Sequence, residues 1–298
     1  MTRVALLTNP TSGKGRGARA RAAVLDVLRG TDLDVLDLVG ADGDEALVLA
    51  TRAVADGLDA LWVCGGDGLV HLAVQALAGT GTPLGLVPAG TGNDVARYLD
   101  LPRTDPAAAA HLLLRALRSG STRALDLARA GDRWFTTVLA AGFDAKVNER
   151  ANAMTRPRGQ MRYNVATLAE LRTFTPLPYT LDLDGTTVHL EAMMVAVGNG
   201  PSYGGGLRIT EGAVLDDGLL DVVVIGPMNK PELVRTYPRL FRGTHTTHPA
   251  YQHHRVRRVT VAAPGIVAYA DGERLGPLPL TVECVPGALV ALAAPTPA

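Results

Sequence analysis

The sequence predicts an α/β N-terminal domain, doubly wound around a mostly parallel sheet, followed by a β-sandwich C-terminal domain with inserted helices. Three observations carry that prediction. Between Val4 and Arg118, apolar runs alternate with helical patterns, at a pitch that argues βα units. Polar, glycine-rich loops follow the first, third and fourth apolar runs, and in open α/β sheets such loops gather at one edge. From Arg123 the texture changes to short runs that alternate polar and apolar residues, the sign of half-exposed antiparallel strands.

Val4–Leu7 is the first strand. It ends in Asn9-Pro10-Thr11-Ser12-Gly13-Lys14-Gly15, and Ala18–Arg29 carries a helical pattern. The loop fails the P-loop pattern, because Gly13-Lys14 is followed by Gly15 instead of Ser or Thr. It still sets free backbone N–H groups at a helix N-terminus, where an anion binds; a solvent-exposed turn is the other reading. Leu33–Val39 is a strand and Gly43–Asp56 a helix. Ala60–Cys64 reads as a buried parallel strand that runs into Gly65-Gly66-Asp67-Gly68, with a helix over Leu69–Ala78. The glycines remove side chains where a ligand would meet amides. Asp67 puts a carboxylate among them, which is unfavourable unless a cation or a reacting hydroxyl is near. Pro83–Val87 is the fourth strand and enters Pro88-Ala89-Gly90-Thr91-Gly92-Asn93-Asp94. Asn93 suits an N-cap and Asp94 a first helical turn. Three such loops on one edge favour a phosphate or nucleotide site. Asp105–Arg118 is a further helix, and the linker-like Ser119-Gly120-Ser121 separates domains 1–122 and 123–298, with the last strand free to return to the first.

In the second half, strands are expected at Ala124–Arg129, Trp134–Ala140, Tyr179–Leu183, Thr187–Val197, Leu219–Ile225, Arg257–Ala262, Ile266–Ala270, Leu280–Val285 and Leu289–Leu292. Helical patterns cover Ala145–Met154, Lys230–Phe241 and residues 160–174. Three patches carry potential chemistry. Gly198–Gly206 and the following Asp216-Asp217-Gly218 combine glycines and carboxylates that can hold a hard cation or make a hairpin turn. Asp271 and Glu273 lie two apart; on an extended segment they share a face and could take a proton from a hydroxyl or help hold Mg²⁺. Arg235, Arg239, Arg242, His245, His248, His253, His254, Arg255, Arg257 and Arg258 form a basic run, to which Arg156, Arg158 and Arg162 could add. It suits anionic lipid head groups or a solvated face.

The totals set bounds. The 298 residues are 47% hydrophobic and 19% charged with zero formal net charge, which describes a globular protein and gives no global reason to expect nucleic acid. The two cysteines, Cys64 and Cys284, sit in strand-like runs without metal-ligand spacing, as buried thiols in a reducing cytosol would. The N-terminal apolar run is too short for a secretion signal, and no stretch approaches the ~20 apolar residues of a membrane-spanning helix.

Taken together, the motifs resemble the bacterial diacylglycerol kinase family of soluble lipid kinases, relatives of sphingosine kinases and more distantly of NAD kinases. The resemblance runs in order through Asn9–Gly13, Gly65–Gly68, Pro88–Asp94, Gly142-Phe143-Asp144-Ala145, Gly198–Gly206, Asp217–Asp221 and Asp271-Gly272-Glu273. It implies an active site in the cleft between the two domains and transfer of the ATP γ-phosphoryl group to a lipid hydroxyl, with diacylglycerol as acceptor. It implies that Gly65, Gly66, Gly68, Gly90, Thr91, Gly92 and Asn93 face the nucleotide phosphates beside Asn9, Pro10, Thr11, Ser12 and Gly13, while Asp67 helps organise Mg·ATP. Asp271 would be the general base, assisted by Glu273. A structural Mg²⁺ would take Asp217 and backbone carbonyls near Val214 and Leu219. The implied partners are a lipid substrate and a transient, peripheral contact with the inner face of the membrane; a homodimer is compatible. The family usually follows Gly-Gly-Asp-Gly with Thr, then Asn and Glu; here Leu69, His71 and Leu72 stand there, so a hydroxyl contact to nucleotide is lost and His71 could replace an amide. An NAD-kinase-like enzyme and a non-catalytic nucleotide- or lipid-binding regulator are the alternatives.

Overall fold

The computed structural model describes residues 1–156, 161, 165–167, 169–170 and 175–294. The chain divides into two units, Met1–Leu127 with the segment from Val285, and Ala128–Cys284.

The first unit is built on β1 (Arg3–Thr8), β2 (Asp34–Val39), β3 (Ala60–Gly65), β4 (Leu84–Pro88) and the end of the last strand, β16 (Leu280–Leu292), in the order β2-β1-β3-β4-β16. All of these pairings are parallel. Helices cover the sheet, so its central strands are buried on both sides and read as unbroken apolar runs. Val4, Leu6, Ala60, Trp62 and Val87 pack with α1 (Ser12–Leu28) and α5 (Pro106–Ser119). α2 (Gly43–Ala55) and α3 (Asp67–Leu77) pack together. The helix ends follow local chemistry. Asp42 accepts from Glu45 N at the start of α2, and Asp105 accepts from Ala108 N at the start of α5, each at 2.9 Å; such caps contribute about 1 kcal/mol apiece. A short α4 (Asp94–Tyr98) follows the third glycine loop.

The second unit is an antiparallel sandwich. Its elements are β5 (Thr122–Ala130, begun in the first unit), β6 (Arg133–Phe135), β7 (Val138–Gly142), α6 (Phe143–Ala153), β8 (Leu177–Leu183), β9 (Thr186–Ala192), β10 (Met194–Gly198), β11 (Leu220–Ile225), α7 (Lys230–Leu240), β12 (Tyr251–Val256), β13 (Arg258–Ala262), β14 (Val267–Ala270) and β15 (Glu273–Pro277). One sheet runs β12-β11-β10-β7-β14-β15; the other holds the start of β16 with β13, β8 and β9. Inward side chains of both, among them Leu139, Val195, Val197, Val222, Tyr179, Leu181, Val259 and Val282, form the core.

Four strand expectations are corrected. Trp134–Ala140 is broken at Thr136-Thr137 between β6 and β7. Thr187–Val197 breaks at Met193, whose N–H bonds to Ile225 O, because β9 pairs with β8 whereas β10 pairs with β7 and β11. Leu280–Val285 and Leu289–Leu292 are one strand: Pro286 lacks a donor, and Gly287 N finds its acceptor in Asp126 Oδ1 at 2.8 Å. β12 and β15 were not expected at all. The helix expected over 160–174 falls largely outside the described residues.

Candidate functional site

In the first unit the three glycine loops meet at the ends of β1, β3 and β4. A Cβ on Gly90 would lie 2.4 Å from Gly66 Cα, and one on Gly13 would lie 2.2 Å from Ala89 O. Real side chains cannot occupy those distances, so glycine is what lets loop lie on loop. Arg16 fastens the seam, donating from Nε to Gly13 O (3.1 Å) and from a terminal nitrogen to Gly90 O (2.6 Å). Asn9 folds its own loop, its Oδ1 accepting from Thr11 N (3.0 Å) and Thr11 Oγ1 (2.8 Å), an Asx turn. Pro10 O accepts from Ala18 N, and Ser12 Oγ lies beside Gly66. Thr91 and Gly68 are exposed, and Gly92 O accepts from Arg97. Leu69 N and Val70 N close the first turn of α3 on Gly66 O, so this edge presents an anion with the positive end of a helix.

Asp67 is already engaged. Its Oδ2 accepts from Asn93 N and its Oδ1 from Asp94 N, both at 2.7 Å. The carboxylate at the start of α3 therefore caps α4 from another loop. Asn93 stands at the N-cap position of α4 and Asp94 in its first turn, as expected, but Asn93 has φ 55°, makes no side-chain cap bond, and turns its amide back to Gly90 N and O. Leu69 is buried, and a Cβ on Gly65 would meet its Cδ2 at 2.7 Å; residue 69 points inward against β3. His71 is buried and Leu72 packs near Gly43 of α2. Cys64 lies instead in the cluster packed against α1 and α5, where burial pushes its thiol up to about 12.

In the second unit Asp271 and Gly272 form the tip of the β14–β15 hairpin. Both have positive φ, 52° and 88°, the conformation of a two-residue I′ turn and the reason Asp-Gly suits it. The extended segment expected to put Asp271 and Glu273 on one face does not exist, since the backbone reverses between them. Glu273 is exposed as the first residue of β15. Asp271 reaches the turn that interrupts Trp134–Ala140. Its Oδ2 accepts from Thr136 N (3.0 Å) and Oγ1 (3.3 Å), and its Oδ1 accepts from Thr137 N (2.9 Å) and Oγ1 (2.6 Å). That turn is braced from behind. Thr137 O accepts from Asn199 N (2.8 Å) and Gly200 N (3.0 Å), and Thr136 O accepts from the buried Asn199 Nδ2 (3.1 Å). Thr136, Thr137 and Arg16 were missed as site residues. Two β-branched residues inside an apolar run look like strand, and the only signal was that the pair is polar and consecutive.

Asp217 Oδ1 accepts from Leu219 N (3.1 Å) and its Oδ2 pairs with Arg255; Val214 is exposed. Beside it, buried Asp221 meets His253 Nε2 at 2.6 Å; burial pushes the Asp221 carboxyl up, opposed by the hydrogen bond and charge of His253. Among the described residues no cluster of three or more His, Cys, Asp or Glu side chains is placed to hold a metal. The basic run is paired in part. His248 faces Glu232 (3.1 Å), His253 meets Asp221, Arg255 pairs with Asp217 and Arg258 faces Glu283 (3.5 Å), while His245 is buried and Arg239 binds Thr247 Oγ1. Arg158 and Arg162 lie outside the described residues.

Residues 3–130 match the model of the diacylglycerol kinase catalytic domain, and residues 137–293 match that of the YegS C-terminal NAD kinase beta sandwich-like domain. A Mycobacterium tuberculosis protein named diacylglycerol kinase is 44% identical over 296 residues, covering 97% of this chain and 94% of its own length. A Pseudomonas fluorescens protein named "Probable lipid kinase YegS-like" is 32% identical over 273 residues, covering 90% of this chain and 88% of its own length. A crystal structure of a diacylglycerol kinase from Bacillus anthracis superposes with a TM-score of 0.77 at 23% identity, over 98% of this chain and 97% of that one; at that identity the likeness speaks for the fold.

Proposed function

The chain belongs to the diacylglycerol kinase family of lipid kinases, and on that footing we propose that it transfers the γ-phosphoryl group of ATP to the hydroxyl of diacylglycerol, giving phosphatidic acid and ADP. The observation that supports this best is the seam of the first unit, where Gly66 and Gly90 touch and leave a side-chain-free edge beside the N-terminus of α3. A triphosphate fits such an edge through backbone donors.

ATP, when bound with a divalent cation, supplies an electrophilic γ-phosphorus whose charge is partly neutralised. The chain's own work is positioning and proton transfer. In this reading Asp271 accepts the proton of the lipid hydroxyl as the new O–P bond forms and the bond to the β,γ-bridging oxygen breaks. All four of its acceptor directions are taken by Thr136 and Thr137. The incoming hydroxyl displaces the longest of these, Thr136 Oγ1 at 3.3 Å. Glu273 adds negative charge at the same hairpin. The Val214, Asp217 and Leu219 set fits Mg²⁺ only if Asp217 exchanges Arg255 for the metal, so no step runs through that site.

The relative named diacylglycerol kinase supports diacylglycerol as acceptor. The NAD kinase likeness of the sandwich domain family puts NAD in the panel as the second reading. No described helix is long and apolar enough to cross a membrane; the reading has the enzyme work at the bilayer surface. The test is γ-labelled ATP with Mg²⁺ against diacylglycerol, a long-chain amino alcohol and NAD. Label in NAD alone, or in no acceptor, overturns the lipid reading; label in the amino alcohol alone overturns diacylglycerol.

A further inference from the structure

We infer that the solvent face of α7 is a docking surface for an anionic lipid bilayer. Val234, Tyr237 and Phe241 are 56%, 38% and 47% exposed. Their spacing of three and four places them on one stripe, and Tyr237 and Phe241 stack edge to face with centroids 5.8 Å apart. The helix is held firmly beneath them. Thr236 and Leu240 are buried, Leu233 packs against the cluster of Val138, Met193 and Ile225, and Asn229 with Glu232 closes a capping box. The stripe is an exposed apolar feature on a rigid support.

Its rim is cationic. Lys230, Arg235 and Arg242 are exposed, and among the described residues no ion pair or hydrogen bond engages the side chain of Arg235 or Arg242. The one carboxylate of the helix, Glu232, lies about 160° around the axis from Val234 at 100° per residue. It is occupied by Asn229 N and His248. Apolar residues with aromatic character beside unpaired arginines are what an interfacial helix presents to anionic head groups. A second copy of the chain is the poorer occupant: at the usual size of such side chains the stripe exposes roughly 250 Å², against about 800 Å² per partner in a stable dimer. The choice of a bilayer rests on the lipid-kinase reading, whose acceptor lives there.

The test is cosedimentation of the full chain with vesicles of phosphatidylcholine and phosphatidylglycerol, and of phosphatidylcholine alone. The triple variant Val234→Ser, Tyr237→Ser, Phe241→Ser should bind the mixed vesicles at least about tenfold more weakly, and Arg235→Gln with Arg242→Gln about fivefold more weakly per arginine. Both should phosphorylate a water-soluble short-chain diacylglycerol at the wild-type rate. Unchanged vesicle binding in the triple variant overturns the docking face, as does a concentration-dependent dimer abolished by Phe241→Ser. If the triple variant does not fold, Phe241→Trp decides: fluorescence quenched by brominated lipid beyond the wild-type level supports insertion, and no added quenching refutes it. If the wild type phosphorylates no lipid at all, the kinase reading falls while the vesicle result still judges α7.

Discussion

Thr137→Val removes one hydroxyl and almost no volume. Thr137 is buried, and its hydroxyl donates to Asp271 Oδ1 at 2.6 Å, the shortest of the four bonds to that carboxylate. A hydrogen bond to a charged group contributes about 1.5–3 kcal/mol. Asp271 is half-buried at a hairpin tip, and three donors remain, so the lower end applies: about 1.5 kcal/mol of unfolding free energy. The effect on chemistry follows from aim. A misplacement of ~1 Å costs on the order of 100-fold in rate; with three bonds left, the loss should be about tenfold in kcat. KM for ATP should not move, because the glycine loops belong to the other unit. Thr137→Ser keeps the hydroxyl and should restore kcat to within about twofold, if orientation is what the hydroxyl supplies. Steady-state kinetics with ATP and diacylglycerol read all three. Wild-type kcat in Thr137→Val, beside an inactive Asp271→Asn, would refute the clamp. A Thr137→Ser variant as impaired as the valine would show that shape, not the hydroxyl, is at issue.

The remaining predictions concern other parts of the molecule. Gly90→Ala places a Cβ 2.4 Å from Gly66 Cα, which should part the loops at a cost of about 1–3 kcal/mol and abolish nucleotide binding by calorimetry; wild-type ATP affinity in that variant would contradict the phosphate edge. If Mg²⁺ takes Asp217 from Arg255, it should raise the melting temperature of the wild type and leave Asp217→Asn unmoved, and equal shifts in both would remove Asp217 from the metal set. Burial holds the His245 imidazole below its ordinary range, opposed by its bond to Ile209 O. The unfolded chain therefore binds that proton first, so stability is full above the ordinary value of about 6.5 and declines as pH falls toward the folded value. Urea titrations from about pH 7 to 5 should show that decline, flattened in His245→Gln; an identical slope in the variant would clear His245 of it.

Much of the first unit was legible because its strands are buried on both faces and its loops are punctuated by glycine. Ala60–Cys64 and Pro83–Val87 could be read as strands directly, within a residue of β3 and β4, and the meeting of their loops followed from parallel topology. What could not be read was why the glycines are there. Gly66 and Gly90 make room for each other, and Asp67 caps a helix outside its own loop; both are tertiary facts with no local signature. The second unit was harder for the same reason. Thr136-Thr137 is a turn only because Asp271, Asn199 and Gly200 satisfy its backbone from two sides. The Tyr251–Val256 strand hid in a basic run, since charge suggested a surface while its backbone pairs with β11. Four residues of that basic run, His248, His253, Arg255 and Arg258, proved to be paired with carboxylates from other elements.

The most direct measurement is transfer of label from γ-labelled ATP into organic-extractable lipid, with diacylglycerol and Mg²⁺, for the wild type and Asp271→Asn. The wild type should yield labelled phosphatidic acid. Asp271→Asn should show a kcat lower by about 100-fold or more, with equilibrium ATP binding unchanged. No labelled lipid from the wild type, or undiminished labelling by Asp271→Asn, would contradict the proposed mechanism.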